Sequence, residues 1–266
     1  MCAKEHREES GPSKEDSSIS RSESASAPTP DITHTLFQIS TSGALVAGLY
    51  NGVVSTRVVL AHGDFGLGTF AGLDGEMVVL DGRAYRVRGD GAVSEVAVDA
   101  EVPFAVVTRF DADIDEEIRD VSNLGEFEKK CDVLRVSSNI FYALRIDGTF
   151  SRIRTRAVSP PPKNGRLIDA AKVQAEFEFN DIAGTLVGIW SPGFSSAFSV
   201  PGYHFHFVSD SRTHGGHLLA CSSEILRVRA ERLTDFHLVL PTSESYLKAD
   251  LSKNSADELA YAEQSH

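Results

Sequence analysis

The segment Pro201 to Leu219, PGYHFHFVSDSRTHGGHLL, constrains this chain more than any other. It sets His204 and His206 two residues apart and brings His217 after a polar, glycine-rich connection. Side chains at i and i+2 of a β-strand share a face. An HFHF strand therefore carries both imidazoles on one side and Tyr203, Phe205 and Phe207 on the other. VSDSRTHGG reads as a hairpin connection, and the apolar run that His217 opens reads as the return strand. Three imidazoles then converge, with His217 preferred as the third over His214, which lies in the less constrained loop. Three protein ligands and an open position describe a catalytic zinc site, as opposed to a closed structural one. An isolated strand histidine is usually only a half-buried polar residue. The pairing on one face and the third histidine behind Gly215-Gly216 carry the metal reading.

Composition narrows the classes. The 266 residues carry a net charge of −12, which argues against a nucleic-acid surface and fits small-molecule metabolism. Cys2, Cys131 and Cys221 have no CxxC spacing, so neither a disulfide framework nor a thiolate zinc site is expected. Cys221, on the strand of His217, reads as a small buried hydrophobe. No apolar run approaches the roughly 18 residues of a membrane span. Residues 1–32 lack an apolar signal core and are rich in Ser, Glu, Lys and Pro, so a disordered tail is expected, and the cytoplasm is the expected compartment.

Strands and short helices follow without βαβ alternation, which predicts an α+β fold. The expected organisation is two β-sheet-rich subdomains, 33–160 and 161–242, with the metal site in the cleft between them, and a C-terminal segment, 243–266, that is helical and packs back toward the site. Thr35–Ile39 reads as a strand, followed by a helix through Ala44–Tyr50 capped by Ser40 or Ser42 and a second helix over Val54–Ala61. The glycines of His62–Phe70 (HGDFGLGTF) suggest a tight backbone path near a ligand. A phosphate loop is disfavoured there, because no Lys-Ser/Thr follows. Glu76–Leu80 and Arg83–Arg88 flank Asp81-Gly82 as a hairpin, and Phe141–Ile146 and Thr149–Arg154 flank Asp147-Gly148 as another. Val93–Val98 and Phe104–Phe110 read as strands and Ile114–Leu134 as an acidic helix. PPPKNG (Pro160–Gly165) reads as a link or long loop. Val173–Phe179 is a short strand or helix, and Gly184–Trp190, Ile225–Leu233 and Phe236–Leu240 are strands.

Four motifs occur in a shared order: HGDFGLGTF–AGLDGEMVVLDG (His62–Gly82), LRIDGTF–SRIRTR (Leu144–Arg156), GTLVGIW (Gly184–Trp190) and VPGYHFHFVSDSRTHGGHLL (Val200–Leu219). Together they resemble the acetolactate decarboxylase family, from about Thr35 through Ala220. The resemblance implies a zinc enzyme, commonly a homodimer, that converts 2-acetolactate to (R)-acetoin and CO2. It puts the zinc ligands on His204, His206 and His217, the trio that spacing selects. It also implies an active-site glutamate at Glu76 (in LDGE), an arginine at Arg156 (in RTR), a threonine at Thr69 (in GTF) and a second, C-terminal glutamate at Glu263, with Glu258 nearby. Where the family has a Gln and a Pro-Tyr-Pro run after the arginine, this chain has AVSPPPKNGRLIDA (Ala157–Ala170), which implies a different wall to the site.

Two other readings compete. A cupin-like metal oxygenase also uses H-x-H on a strand, but wants a glutamate where this chain has Asp210. A non-catalytic metal-binding homologue is the second. By themselves, Glu76 reads as the start of a strand and Arg156, beside Arg152 and Arg154, as one of a solvated basic row.

Overall fold

The computed structural model describes Met1 and residues 34–161, 165–172, 174–252 and 258–259. The strands in chain order are β1 (Thr35–Ile39), β2 (Val54–Ser55), β3 (Phe65–Thr69), β4 (Glu76–Leu80), β5 (Arg83–Val87), β6 (Val93–Glu95), β7 (Glu101–Val102), β8 (Phe104–Thr108), β9 (Ile114–Val121), β10 (Phe141–Ala157), β11 (Ala175–Ser191), β12 (Gly202–Ser209), β13 (Gly215–Leu233) and β14 (Asp235–Val239). The helices are α1 (Ser42–Val46), α2 (Thr56–His62), α3 (Leu124–Leu134), α4 (Leu167–Ala171) and α5 (Glu244–Lys248). The fold is α+β, as the unalternated pattern predicts. A seven-stranded sheet runs β14-β1-β8-β3-β4-β5-β6, and a five-stranded sheet runs β10-β11-β12-β13-β9 with β10 also paired to β13. The strands β10, β11, β12 and β13 thus close on one another.

Residue 160 does not separate the sheets. The seven-stranded sheet recruits β14 from the C-terminal part, and the five-stranded sheet takes β9 and β10 from the N-terminal part. The sheets share a core in which Leu36, Phe65, Leu67, Val78 and Val106 of one face Phe141, Val187, Ile189 and Val208 of the other. The opposite face of the five-stranded sheet packs Phe150, Phe205 and Phe207 against Phe127 and Cys131 of α3. The period-two alternation of β12 therefore sends its phenylalanines outward to α3 and its histidines toward the seven-stranded sheet.

Local sequence explains most elements. Asp81-Gly82 turns the β4–β5 hairpin with φ of 52° and 74°, the positive pair a type I′ turn needs. Gly66 and Gly68 lie flat on β8: an added Cβ would come within 2.1 Å of the Val106 oxygen and 2.4 Å of the Phe104 oxygen. The glycine-dense segment is a tightly packed strand, with no phosphate-loop geometry. The first helix is shorter than Ala44–Tyr50 and is capped by Thr41, whose side chain accepts from the Ala44 N–H, in place of Ser40 or Ser42. The Val54–Ala61 segment begins as the short strand β2 before α2 starts.

Three further expectations are corrected. Ile114–Leu134 is not one helix. Its first part is the edge strand β9, which turns Ile118 and Val121 into the core and pairs its charges across the sheet, as in Asp115 with Arg227. Only Leu124–Leu134 is helical, capped by Asn123, with Glu126 reaching back to the Ser122 N–H. The second correction concerns Asp147-Gly148, which makes no turn: β10 runs straight through it between β11 and β13. Asp147 is held by Arg145, Arg229 and the Thr185 hydroxyl, and Gly148 makes room for Leu226 and the Ile225 carbonyl. Third, the Val173–Phe179 and Gly184–Trp190 segments belong to one strand, β11, from Ala175 on; Val173 lies outside the described residues. Ile225–Leu233 is likewise the far half of β13. In the C-terminal segment α5 is helical, capped by Ser243.

Glu231 of β13 is fully buried and bridges to the first sheet. It accepts from the His34 N–H at 3.2 Å and from the Thr108 hydroxyl at 3.4 Å. Burial pushes its carboxyl up to about 7, against the opposing pull of the Asp111 backbone and His34. The folded chain then keeps a proton that the unfolded chain releases near pH 4.5, so stability falls as pH rises from that value toward 7. Chemical denaturation across this range is expected to show that decline, and Glu231→Gln to flatten it; an unchanged slope in the variant would assign the decline elsewhere.

Candidate active site

The three histidines reach one point because two registers coincide. His206 of β12 lies directly opposite His217 of β13, and His217 lies directly opposite Arg156 of β10. A register shift on β13 opposite Arg154–Thr155 precedes this pairing, and such bulges re-aim side chains. His204 follows on the His206 face. The ligand nitrogens of His204, His206 and His217 all lie within 4.8 Å of one another. His214, the alternative third histidine, instead packs its ring against Phe179 at 4.5 Å, outside the cluster.

The imidazoles suit a divalent cation. His206 Nδ1 lies 2.7 Å from the Met77 carbonyl, a contact that requires the proton on Nδ1 and turns the Nε2 lone pair inward. His204 Nε2 and His206 Nε2 stand 3.2 Å apart. Two nitrogens on one tetrahedral zinc would stand about 3.3 Å apart, given the usual Zn–N length. Burial, the neighbouring His206 and the Arg156 charge hold His204 well below the ordinary histidine value. Burial and Arg156 lower His206 to about 4, against the raising effect of Met77. Both rings are therefore neutral at pH 7, the form that ligates a metal.

The trio opens onto a cavity of about 560 Å³, its mouth included, between the two sheets. Thr69 and Glu76 line it from β3 and β4, where they face each other in register, and Arg156 lines it from β10. All three are buried. Glu76 Oε1 accepts from the Val158 N–H at 3.2 Å, and Oε2 lies 3.5 Å from His206 Nε2. The Thr69 hydroxyl donates to the Gly75 carbonyl at 2.9 Å. Arg156 Nη1 donates to Gln174 Oε1 at 2.6 Å. The structure thus brings together six of the residues singled out in the sequence. Of the remaining candidates, Glu258 is half-buried, accepts at both carboxylate oxygens from Arg166 Nη2 and does not line the cavity; Glu263 lies outside the described residues. Asp210 is exposed in the β12–β13 turn, so the carboxylate that a cupin-like oxygenase needs is not at the trio.

The rest of the wall is apolar. Leu45, Leu73, Phe104 and Val200 contribute, with Leu259 from the C-terminal segment. The stretch after Arg156 supplies Val158 and Leu167, and Ala171 follows them on α4. Sequence reading missed Leu259 and Gln174. Neither sits in a motif, and both arrive through tertiary packing.

A three-imidazole cluster with a buried carboxylate and guanidinium in one cavity defines a candidate metal-dependent enzyme of small-molecule chemistry. The family model for alpha-acetolactate decarboxylase matches residues 36–253. An alpha-acetolactate decarboxylase of Methanosarcina mazei is 39% identical over 239 residues, 88% of this chain and 83% of that protein. One from Bacillus licheniformis is 38% identical, covering 82% and 87%. The crystal structure of alpha-acetolactate decarboxylase from Bacillus subtilis strain 168 superposes with a TM-score of 0.84 at 34% identity, over 87% of this chain and 100% of that one. The chain belongs to the alpha-acetolactate decarboxylase family.

If the trio holds metal, His206→Ala will lose bound zinc and activity together while the fold persists. Zinc analysis of the purified variant checks this, and full occupancy would remove His206 from the ligand set.

Proposed function

We propose that this chain is a zinc-dependent decarboxylase that converts 2-acetolactate to (R)-acetoin and CO2. The observation that carries the proposal is the convergence of His204, His206 and His217 with Glu76 and Arg156 on one cavity. Zinc would be held by the three neutral imidazoles, keeping its full charge and an open position, and would supply Lewis acidity where negative charge develops on oxygen.

The chain's own residues account for the remaining chemistry. 2-Acetolactate is an anion, and the planar Arg156 guanidinium matches its carboxylate and stays charged even when buried. Breaking the carboxyl–carbon bond releases CO2 and sends the electron pair into the adjacent ketone as an enediolate. That species must then take a proton on one face of one carbon. Glu76, beside the trio and fixed by the Val158 N–H, is the proposed acid. Its position on one side of the cavity would favour delivery to one face and hence one enantiomer. Glu263 is the proposed second carboxylate; two carboxyls at one site separate their protonation, so that one stays an acid while the other is charged. Thr69 borders the same wall; with its own proton on the Gly75 carbonyl, its hydroxyl oxygen is proposed to accept from the substrate hydroxyl. The apolar surface of Leu45, Leu73 and Leu259 suits the substrate's methyl groups and limits water.

An anaerobic assay of CO2 and acetoin from racemic acetolactate, run before and after chelation, tests the reaction. Acetoin above the spontaneous rate, lost with chelator and restored by zinc, is the expected result; tightly bound metal with no acetoin would overturn it. Glu76→Gln and Arg156→Ala are expected to keep metal and lose about a hundredfold or more in turnover, the usual scale for removing an acid or a charge clamp. Wild-type rates in either variant would take that residue out of the mechanism.

A further inference from the structure

We infer that Gln174 is a positioning residue for Arg156: it holds the guanidinium in place for a substrate carboxylate without cancelling its charge. The inference rests on the proposed role of Arg156. Gln174 stands just before β11, and Arg156 near the end of β10, where Ala157 pairs with Ala175. The contact between them is 2.6 Å from Nη1 to Oε1. Arginine offers only donors, so the amide must present its oxygen, and the orientation of Gln174 follows. A hydrogen bond with an ionised donor is short and directional, and it restrains a planar fork at one nitrogen.

The neutrality of Gln174 matters as much as its position. Glu176 lies directly opposite Arg156 in register, yet its carboxylate goes to Arg154 at 3.7 Å, where both groups are partly exposed. At Arg156 itself the acceptor from this segment is an uncharged amide. A carboxylate at position 174 would be one more competitor with the substrate's own carboxylate for that positive charge. Gln174 orients without adding to that competition. It also follows α4, whose Leu167 and Ala171 form cavity wall, so the segment that differs from the family pattern leads directly into the residue that aims the anion clamp.

The test uses full-length zinc-loaded protein and two variants. Gln174→Glu keeps the shape and adds only charge; Gln174→Met keeps bulk and removes the acceptor. Binding is measured by calorimetry with 2-hydroxyisobutyrate, which carries the hydroxyl and the carboxylate, and with butane-2,3-diol, which has no carboxylate. In both variants the affinity for 2-hydroxyisobutyrate should fall about tenfold, the scale of one charge-assisted contact, with the diol unchanged within about twofold. The KM for acetolactate should rise in parallel, with metal content and denaturation midpoint unchanged. Equal loss for both ligands would mean a deformed pocket and overturn the inference, as would no loss for either. If Gln174→Met fails to fold, the isosteric Gln174→Glu decides alone. Wild-type protein that makes acetoin while the variants keep their anion preference would refute the role of Gln174 only. Absence of acetoin from the wild type would be the failure of the proposed reaction itself.

Discussion

The contact between His206 Nδ1 and the Met77 carbonyl couples the two sheets at the point where chemistry is proposed. It crosses from β12 to β4, so it can form only when both sheets are complete and correctly stacked. It also sets the tautomer of His206, and with it the direction of the inward lone pair. Glu76, the residue before Met77, is carried to the same place by the same strand. One hydrogen bond therefore fixes the spacing between the imidazole cluster on one sheet and the carboxylate on the other.

Closure of β10, β11, β12 and β13 on one another explains why that spacing is rigid. His217 has β12 on one side and β10 on the other, so its register is determined twice, by His206 and by Arg156. A slip of one residue in either pairing would turn the imidazole to the opposite face, into the apolar layer under α3. The cost of that slip is large, because Phe205, Phe207 and Leu218 would leave the core together. The aromatic half of the HFHF pattern thus holds the histidine half in position.

The opposite face of the site is built less redundantly. Its wall comes from α1, from α4 and from Leu259, short elements that meet in one small apolar cluster with Val46, Leu73 and Val158. This cluster lines the cavity beside the stretch that follows Arg156. The metal-side residues sit on long, doubly paired strands, whereas the substrate-side wall sits on short segments held by packing and by the Arg166–Glu258 ion pair. The two halves of the cavity are therefore open to change to different degrees.

The histidine trio, the hairpin that Glu76 opens and the α+β class were legible in the sequence because each follows from a local rule. A period of two puts His204 and His206 on one face, Asp81-Gly82 specifies a turn, and LDGE lies at the head of that hairpin. As site residues, Glu76, Arg156 and Thr69 were legible only through resemblance; in isolation they are the start of a strand, a basic residue among others and a strand threonine. The tertiary structure decided what depends on partners distant in sequence. Asp147-Gly148 has the composition of a turn, but strands on both sides and three side chains on Asp147 pull it straight. Ile114–Val121 has a helical spacing of isoleucines, but β13 offers it a ladder and arginines for its acids. Gln174 and Leu259 carry no local signal, because their roles consist only of what they touch. Local periodicity determines which face a side chain takes; which other side chains meet it there is a long-range property that only the folded chain supplies.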